Sequence, residues 1–285
     1  MYFADKITEI PFSSALYPKE WKRLSDAPEK VYAVGNVSLL TTKKFALVGS
    51  RRTPATILTL TASTAKELSH AFTLATGTAD GGDSAAIEGA LAGSGNIICV
   101  LAGGFSSIPQ NNFPLLKRVA EQGLLISPHP YETGVRSFSY EYRNKLLAAF
   151  AEGVLVTSAG EKSGALITAK YAESFQKPIF AFPYAPNSLV GAGCNALLKK
   201  GARLVENSLD VCAWFGINLT EKKTAPALTG EETKLLNVLK ERTEAHISEL
   251  SAQSGVPLFK ARALLSALEV KGLVASLGGN RYAPV

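Results

Sequence analysis

A chain of 285 residues with 46% hydrophobic and only 19% charged residues has ample apolar material for a packed core, which excludes a disordered or low-complexity protein. No apolar run reaches the ~18 residues of a membrane span, and the amino terminus (Asp5, Lys6, Thr8, Glu9) has no basic and apolar leader, so a cytoplasmic protein is expected. The net charge of +6 suits a polyanionic partner and is unevenly spread: no carboxylate occurs between Glu29 and Glu67, while Lys30, Lys43, Lys44, Arg51, Arg52 and Lys66 all fall there.

In chain order, residues 1–40 read as an extended amino-terminal arm packed against the sheet of the next domain, with Tyr17-Pro18, Trp21 and Val31–Asn36 as its contacts. From 41 to 217 short apolar runs alternate with helical patterns. Strands are expected at Phe45–Gly49, Thr73–Gly77, Asn96–Gly103, Leu124–Ser127, Gly153–Ser158, Pro178–Phe182 and Arg203–Glu206. The helices between them fall near Thr56–Ala71, Ser84–Ala92, Phe113–Gln122, Ser139–Ala151, Gly164–Phe175, Gly193–Lys199 and Leu209–Phe215. Runs such as Ala46-Leu47-Val48 lack polar alternation, as strands covered on both faces do. Repeated strand–helix units imply an α/β fold with a doubly wound parallel sheet.

Residues 218–227, with Lys222, Lys223, Thr224 and Pro226, read as a linker. Over 228–285, Thr229-Gly230-Glu231-Glu232 has the spacing of a capping box opening a helix through Lys240, and two further helical patterns follow near Ile247–Gln253 and Leu258–Lys271. The segment Gly272–Tyr282 gives two strands around a glycine-rich turn, so this part is expected to be a small winged-helix domain. Cys99, Cys194 and Cys212 are far apart and odd in number, and read as buried reduced thiols.

In a parallel sheet, ligands sit beyond the carboxyl ends of the strands, where helix amino termini offer N–H groups to anions. After the first predicted parallel strand comes Gly49-Ser50-Arg51-Arg52: glycine lets a phosphate approach, serine donates and arginine offers a planar fork. Its bland alternative is a solvated turn. After the fifth, Ser163 and Gly164 open a helix that carries Thr168 and form a candidate anion nest, while Glu161 before Lys162 departs from a Walker loop. The stretch Arg136–Lys145 interleaves aromatic and basic residues, a composition suited to stacking bases and neutralising phosphates. Tyr140 and Arg143, three apart, are expected on one ligand-facing helix face, whereas Phe138 and Tyr142 read at least as well as core residues. His70, His129 and His246 are scattered, Asp80 and Asp83 have no companion ligands, and no nucleophile elbow occurs, so neither catalysis nor a metal or cofactor is expected.

These motifs, in this order, resemble the DprA/Smf family: Val48-Gly49-Ser50-Arg51, Gly77-x-Ala79-x-Gly81-x-Asp83, Tyr140-x-x-Arg143-Asn144-Lys145, Ser163–Ala169, and Gly193-x-Asn195-x-Leu197 ending in Gly201-Ala202. The likeness covers roughly Tyr17 to Phe215. It implies an extended Rossmann-like domain in a non-enzymatic protein that binds single-stranded DNA, forms homodimers and helps load RecA recombinase in natural transformation. The DNA-contacting set is then Gly49, Ser50, Arg51, Arg52, Tyr140, Arg143, Asn144, Lys145, Ser163, Gly164 and Thr168. The chain departs from the family pattern at Asp80, where arginine is usual, at Ile87, Ile108, Pro128 and Tyr184, and at Tyr140, where phenylalanine is usual. An alternative class is a Rossmann-type nucleotide-binding enzyme related to nucleotide phosphoribohydrolases, although the Pro-Gly-Gly-x-Gly-Thr pattern of those enzymes has no counterpart here. A regulator reading duplex DNA through the winged helix is the third, with only Lys260 and Arg262 near the start of its recognition helix.

Overall fold

The structure, a computed structural model, describes residues 2–218, 228–242 and 244–284. All but the first residue of the expected linker 218–227 lie outside the described residues. The chain divides into two compact units, Met1–Leu219 and Thr220–Val285, each with its own apolar core.

The first unit is built on nine strands: β1 (Thr8–Pro11), β2 (Lys30–Gly35), β3 (Lys44–Gly49), β4 (Thr73–Thr76), β5 (Ile97–Val100), β6 (Leu124–Ser127), β7 (Val154–Ser158), β8 (Ile179–Ala181) and β9 (Arg203–Leu204). Their order across the sheet is β1-β2-β6-β5-β4-β3-β7-β8-β9, and all pairings from β6 to β9 are parallel. Alternate residues of β3 show why its apolar run has no polar positions. Phe45 and Leu47 pack with α1 (Ala55–Leu68), α2 (Gly82–Ala92), α3 (Phe113–Gln122) and α7 (Ser208–Trp214). Ala46 and Val48 pack on the other face with α4 (Ser137–Phe150), α5 (Ala165–Ser174) and α6 (Ala192–Lys199). Both faces are therefore covered, which is the doubly wound arrangement.

From β3 the chain steps outward to β4, β5 and β6 on one side, then returns to β7, beside β3, and steps outward to β8 and β9 on the other. The crevice at the carboxyl ends of β3 and β7 is thus the topological switch point, where helices leave for opposite faces.

Two expectations need correction. The first 40 residues do more than pack against the sheet: β1 and β2 pair antiparallel with each other, and β2 pairs antiparallel with β6, so the segment extends the sheet at that edge. The Trp21 indole anchors the intervening loop, buried and donating from Nε1 to the Leu146 carbonyl at 2.9 Å. The strand expected at Asn96–Gly103 ends at Val100; Leu101, Ala102 and Gly103 beyond it wall a recess.

The second unit comprises α8 (Gly230–Lys240), β10 (Ala245–His246), α9 (Ile247–Ser254), α10 (Leu258–Val270), β11 (Val274–Gly278) and β12 (Arg281–Pro284). The three strands form an antiparallel sheet in the order β10-β12-β11, which with the helices makes a winged helix; the two-residue β10 is an addition to the expected pair. The wing turn uses Gly278, Gly279 and Asn280 at positive φ.

The capping box is formed: Thr229 N donates to Glu232 Oε2 at 2.7 Å and Glu232 N to Thr229 Oγ1 at 3.2 Å. Lys271 Nζ, 2.5 Å from Glu232 Oε1, is the first cause that holds the Glu232 carboxyl below its ordinary pKa, and the Thr229 N–H is the second. A carboxyl depressed on folding contributes stability above its unfolded pKa and loses it as pH falls through the folded value. Hydrogen-exchange protection of α8 should therefore fall as pH drops below about 4, the usual glutamate range. Glu232→Gln should lower that protection at neutral pH and flatten its dependence in the acid window; an unchanged slope would show that the cap does not titrate with folding.

Candidate functional site

The glycines of the Gly77-x-Ala79-x-Gly81-x-Asp83 turn account for the local fold at the switch point. A Cβ on Gly77 would lie 1.6 Å from Arg143 Nη1, so only glycine leaves room for that guanidinium. Gly81 sits at φ +82°, and a Cβ there would lie 2.4 Å from the Ser50 carbonyl. The two turns that follow β3 and β4 are thereby pressed together.

Asp83, on the first turn of α2, ties these turns at their base. Its Oδ1 accepts from Gly49 N at 3.2 Å and its Oδ2 from Ala79 N at 3.3 Å. Arg143 from α4 brings Nη1 to 3.8 Å from Asp83 Oδ2, and both side chains are buried. Burial pushes the Asp83 carboxyl up and the Arg143 guanidinium down from their ordinary pKa values, and each charge opposes the shift of the other. Each ion is therefore the main compensation for the other.

Above this pair lies an open cleft of about 370 Å³. It brings together ten of the eleven residues singled out from the sequence: Gly49, Ser50, Arg51, Arg52, Tyr140, Arg143, Asn144, Ser163, Gly164 and Thr168. Ser50 N donates to Ser158 Oγ and to the Ser158 carbonyl, both at 2.9 Å, which pins the β3 turn to the end of β7. Arg51 and Arg52 then project from this turn, exposed, and neither forms an ion pair among the described residues. The Arg51 guanidinium carbon stands 5.8 Å from the centre of the Tyr140 ring, a cation–π arrangement.

Tyr140 is 42% exposed, so it is a rim residue rather than a core tyrosine. Asn144 is buried, and its Nδ2 donates to the Gly164 carbonyl at 3.1 Å, setting the entry to α5. Ser163 Oγ accepts from Ala165 N at 3.3 Å in the same turn. Three buried polar atoms of cleft residues, Nε and Nη1 of Arg143 and Oγ1 of Thr168, have no hydrogen-bond partner among the described residues.

The eleventh residue, Lys145, lies elsewhere. Its Nζ contacts both Asp26 oxygens, at 2.6 and 2.8 Å, because two residues beyond Arg143 the helix has turned about 200°. Tyr142 shares that side, donating to the Asp26 carbonyl at 2.6 Å and packing on the core. Arg143 shares the cleft face with Tyr140 as expected but sits at its floor, neutralised, rather than presenting a free charge. Phe138, which read at least as well as core, is 61% exposed. Sequence reasoning missed Asp83 as the organiser of the floor. Its signal was the glycine-rich turn around it, whose partner lies 60 residues downstream.

A switch-point cleft walled by a glycine–serine–arginine turn and floored by the Asp83–Arg143 pair defines a Rossmann-type domain whose open crevice is rimmed by two exposed arginines. Comparison with known proteins is specific. Residues 8–216 match the family model described as DNA recombination-mediator protein A, and residues 220–280 match the DprA winged helix domain. The DNA processing protein DprA of Bacillus subtilis is 32% identical over 213 residues, 74% of this chain and 72% of that protein. A solved structure of DNA processing protein A from Helicobacter pylori, described for its single-stranded DNA binding mode, superposes with a TM-score of 0.67 at 30% identity, covering 74% of this chain and 95% of that one. The DprA structure from Streptococcus pneumoniae gives 0.69 at 29% identity, covering 73% and 74%. The chain belongs to the DprA/Smf family of DNA-processing proteins.

Proposed function

We propose that this chain binds single-stranded DNA in the switch-point cleft, and that it does so without catalysing a reaction on it. The observation that carries the reading is the convergence of donors on one cleft: the Arg51 and Arg52 guanidinia, Nε and Nη1 of Arg143 and the Thr168 hydroxyl, which lack hydrogen-bond partners among the described residues, beside an exposed aromatic ring. Guanidinia and hydroxyls serve phosphates, and a ring with a free face serves bases, which together suit an unpaired strand. The one carboxylate lining the cleft, Asp83, is committed to Arg143 and to two backbone amides, an arrangement that supports binding rather than acid–base work.

The winged helix supports the same choice of site, because the two basic residues near the start of its recognition helix, Lys260 and Arg262, are engaged within the unit. Lys260 pairs with Glu231 at 2.6 Å and Arg281 with Glu244 at 2.7 Å, while Arg262 Nη2 donates to Asn280 Oδ1 at 3.1 Å. Homodimerisation and the loading of RecA recombinase on the bound strand during natural transformation belong to the same proposal and are supported by family membership. Among the described residues no helix is long and apolar enough to cross a membrane.

The test is a salt titration of single-strand affinity. Arg51→Ala should weaken binding and reduce the magnitude of the slope of log K against log salt by about 0.7, the share of one phosphate on a single strand. A folded variant with an unchanged slope would put the strand elsewhere.

A further inference from the structure

A second recess, of about 210 Å³, adjoins the cleft and shares Arg51, Ala79 and Tyr140 with it. One side of it is apolar: Leu101 and Ala102 beyond β5, Ile108 and Pro109, and Val135. Its polar side holds Asp80, with Asn111 and Asn112. Asn112 Nδ2 is committed to the Thr78 carbonyl at 2.6 Å. Asn111 Nδ2 stands 3.5 Å from each Asp80 oxygen, at the outer limit of a hydrogen bond, and no cation pairs with Asp80 among the described residues. The recess therefore presents an exposed carboxylate, with both oxygens able to accept, at the polar edge of a slot whose opposite side is apolar.

A carboxylate is an acceptor only and repels phosphate, so it cannot serve the backbone of a strand lying against Arg51. What it can take is a donor edge of a base turned into the slot beside the Tyr140 ring. Guanine presents two adjacent donors, N1–H and the N2 amino group, which match the two oxygens of one carboxylate. Thymine presents a single N3–H between two carbonyls that the carboxylate repels. Cytosine and adenine each present one amino group beside a ring-nitrogen acceptor.

We propose that this recess is a base-selective subsite in which Asp80 accepts from the Watson–Crick edge of guanine, so that the chain prefers guanine-bearing single strands to thymine-only ones. The inference rests on the cleft being the single-strand site. It assigns to Asp80 a specificity role separate from the phosphate contacts of Arg51.

The experiment is fluorescence anisotropy of the full chain with short thymine oligomers, unmodified or carrying one central guanine or one central hypoxanthine, which lacks the N2 amino group. A single guanine keeps the oligomers free of four-stranded structure. The guanine oligomer should bind about fivefold or more tighter than the thymine one, the low end for a two-bond base contact, with hypoxanthine between them. Asp80→Asn should erase the ranking while leaving thymine binding in place or stronger. Equal affinity of the wild type for all three would overturn the proposal. So would an Asp80→Asn variant that binds all three more tightly with the ranking intact, since Asp80 would then only repel the backbone. A wild type that binds all three weakly, with no response to Arg51→Ala, would instead remove the single-strand reading and this subsite with it. Ranked binding that responds to Arg51→Ala but not to Asp80→Asn would leave the function standing and overturn the role of Asp80.

Discussion

Arg143→Ala is expected to lower the melting temperature of the first unit by roughly 6–20 °C, from a loss of about 3–5 kcal/mol when one member of a buried ion pair is removed. The loss arises from what remains. Asp83 is buried, Gly77 offers no side chain to replace the guanidinium, and the two backbone amides on Asp83 compensate only part of its charge. Asp83→Ala should cost a similar amount for the mirror reason, because an Arg143 already short of hydrogen bonds would be left in a site with no anion. The double variant Asp83→Leu with Arg143→Met should recover much of that stability, since a buried pair replaced by apolar groups of similar volume is often neutral. Thermal unfolding of the four proteins shows whether the cost lies in the lone buried ion each single variant leaves behind. Single variants that melt within a degree of the parent would mean that the pair is not the keystone of the floor. Single-strand affinity of the double variant adds a second answer. If Arg143 only shapes the cleft, a folded double variant keeps much of its affinity; if its Nε and Nη1, short of hydrogen bonds, meet a phosphate, affinity falls although the fold is intact.

This pair also marks where sequence reasoning stops. The parallel strands were legible because each is an apolar run covered on both faces, as Phe45 and Leu47 against Ala46 and Val48 make plain. The β3 turn was legible because its position after a strand limits what a glycine, a serine and two arginines can do there. β1 and β2 were not, because their place in the sheet depends on antiparallel pairing of β2 with β6, some 90 residues away, and no local pattern encodes it. The place of Lys145 was not legible from closeness in sequence: next to Asn144 on paper, it is rotated on the helix toward Asp26 and stands outside the cleft. Asp83 was passed over as an acid without metal companions, when its companion was the arginine already chosen for the ligand. The glycine series around it does encode the contact, since Gly77 and Gly81 are required by Arg143 and the Ser50 carbonyl. It encodes only that something comes close, not what.

Tyr140→Ala should cost about 1–3 kcal/mol of single-strand affinity, a drop of roughly five- to 150-fold, with little change in melting temperature. The separation of the two readouts follows from position. The ring is 42% exposed on the rim between cleft and recess, so its removal opens no cavity in the core, unlike the buried Leu146 and Leu147 further along the same helix. Its hydroxyl has no hydrogen-bond partner among the described residues, and stacking needs only the π-face, so Tyr140→Phe should be nearly silent in both assays. Arg51 adds a further condition. Its guanidinium lies over the same ring at 5.8 Å, so part of the loss in Tyr140→Ala comes from an Arg51 no longer held in place. In a double-mutant cycle, Tyr140→Ala and Arg51→Ala should then be less than additive in affinity. Full additivity would mean that ring and guanidinium act on separate parts of the strand. A Tyr140→Ala variant that melts far below the parent while binding DNA as tightly when folded would remove the stacking role and return this tyrosine to the scaffold.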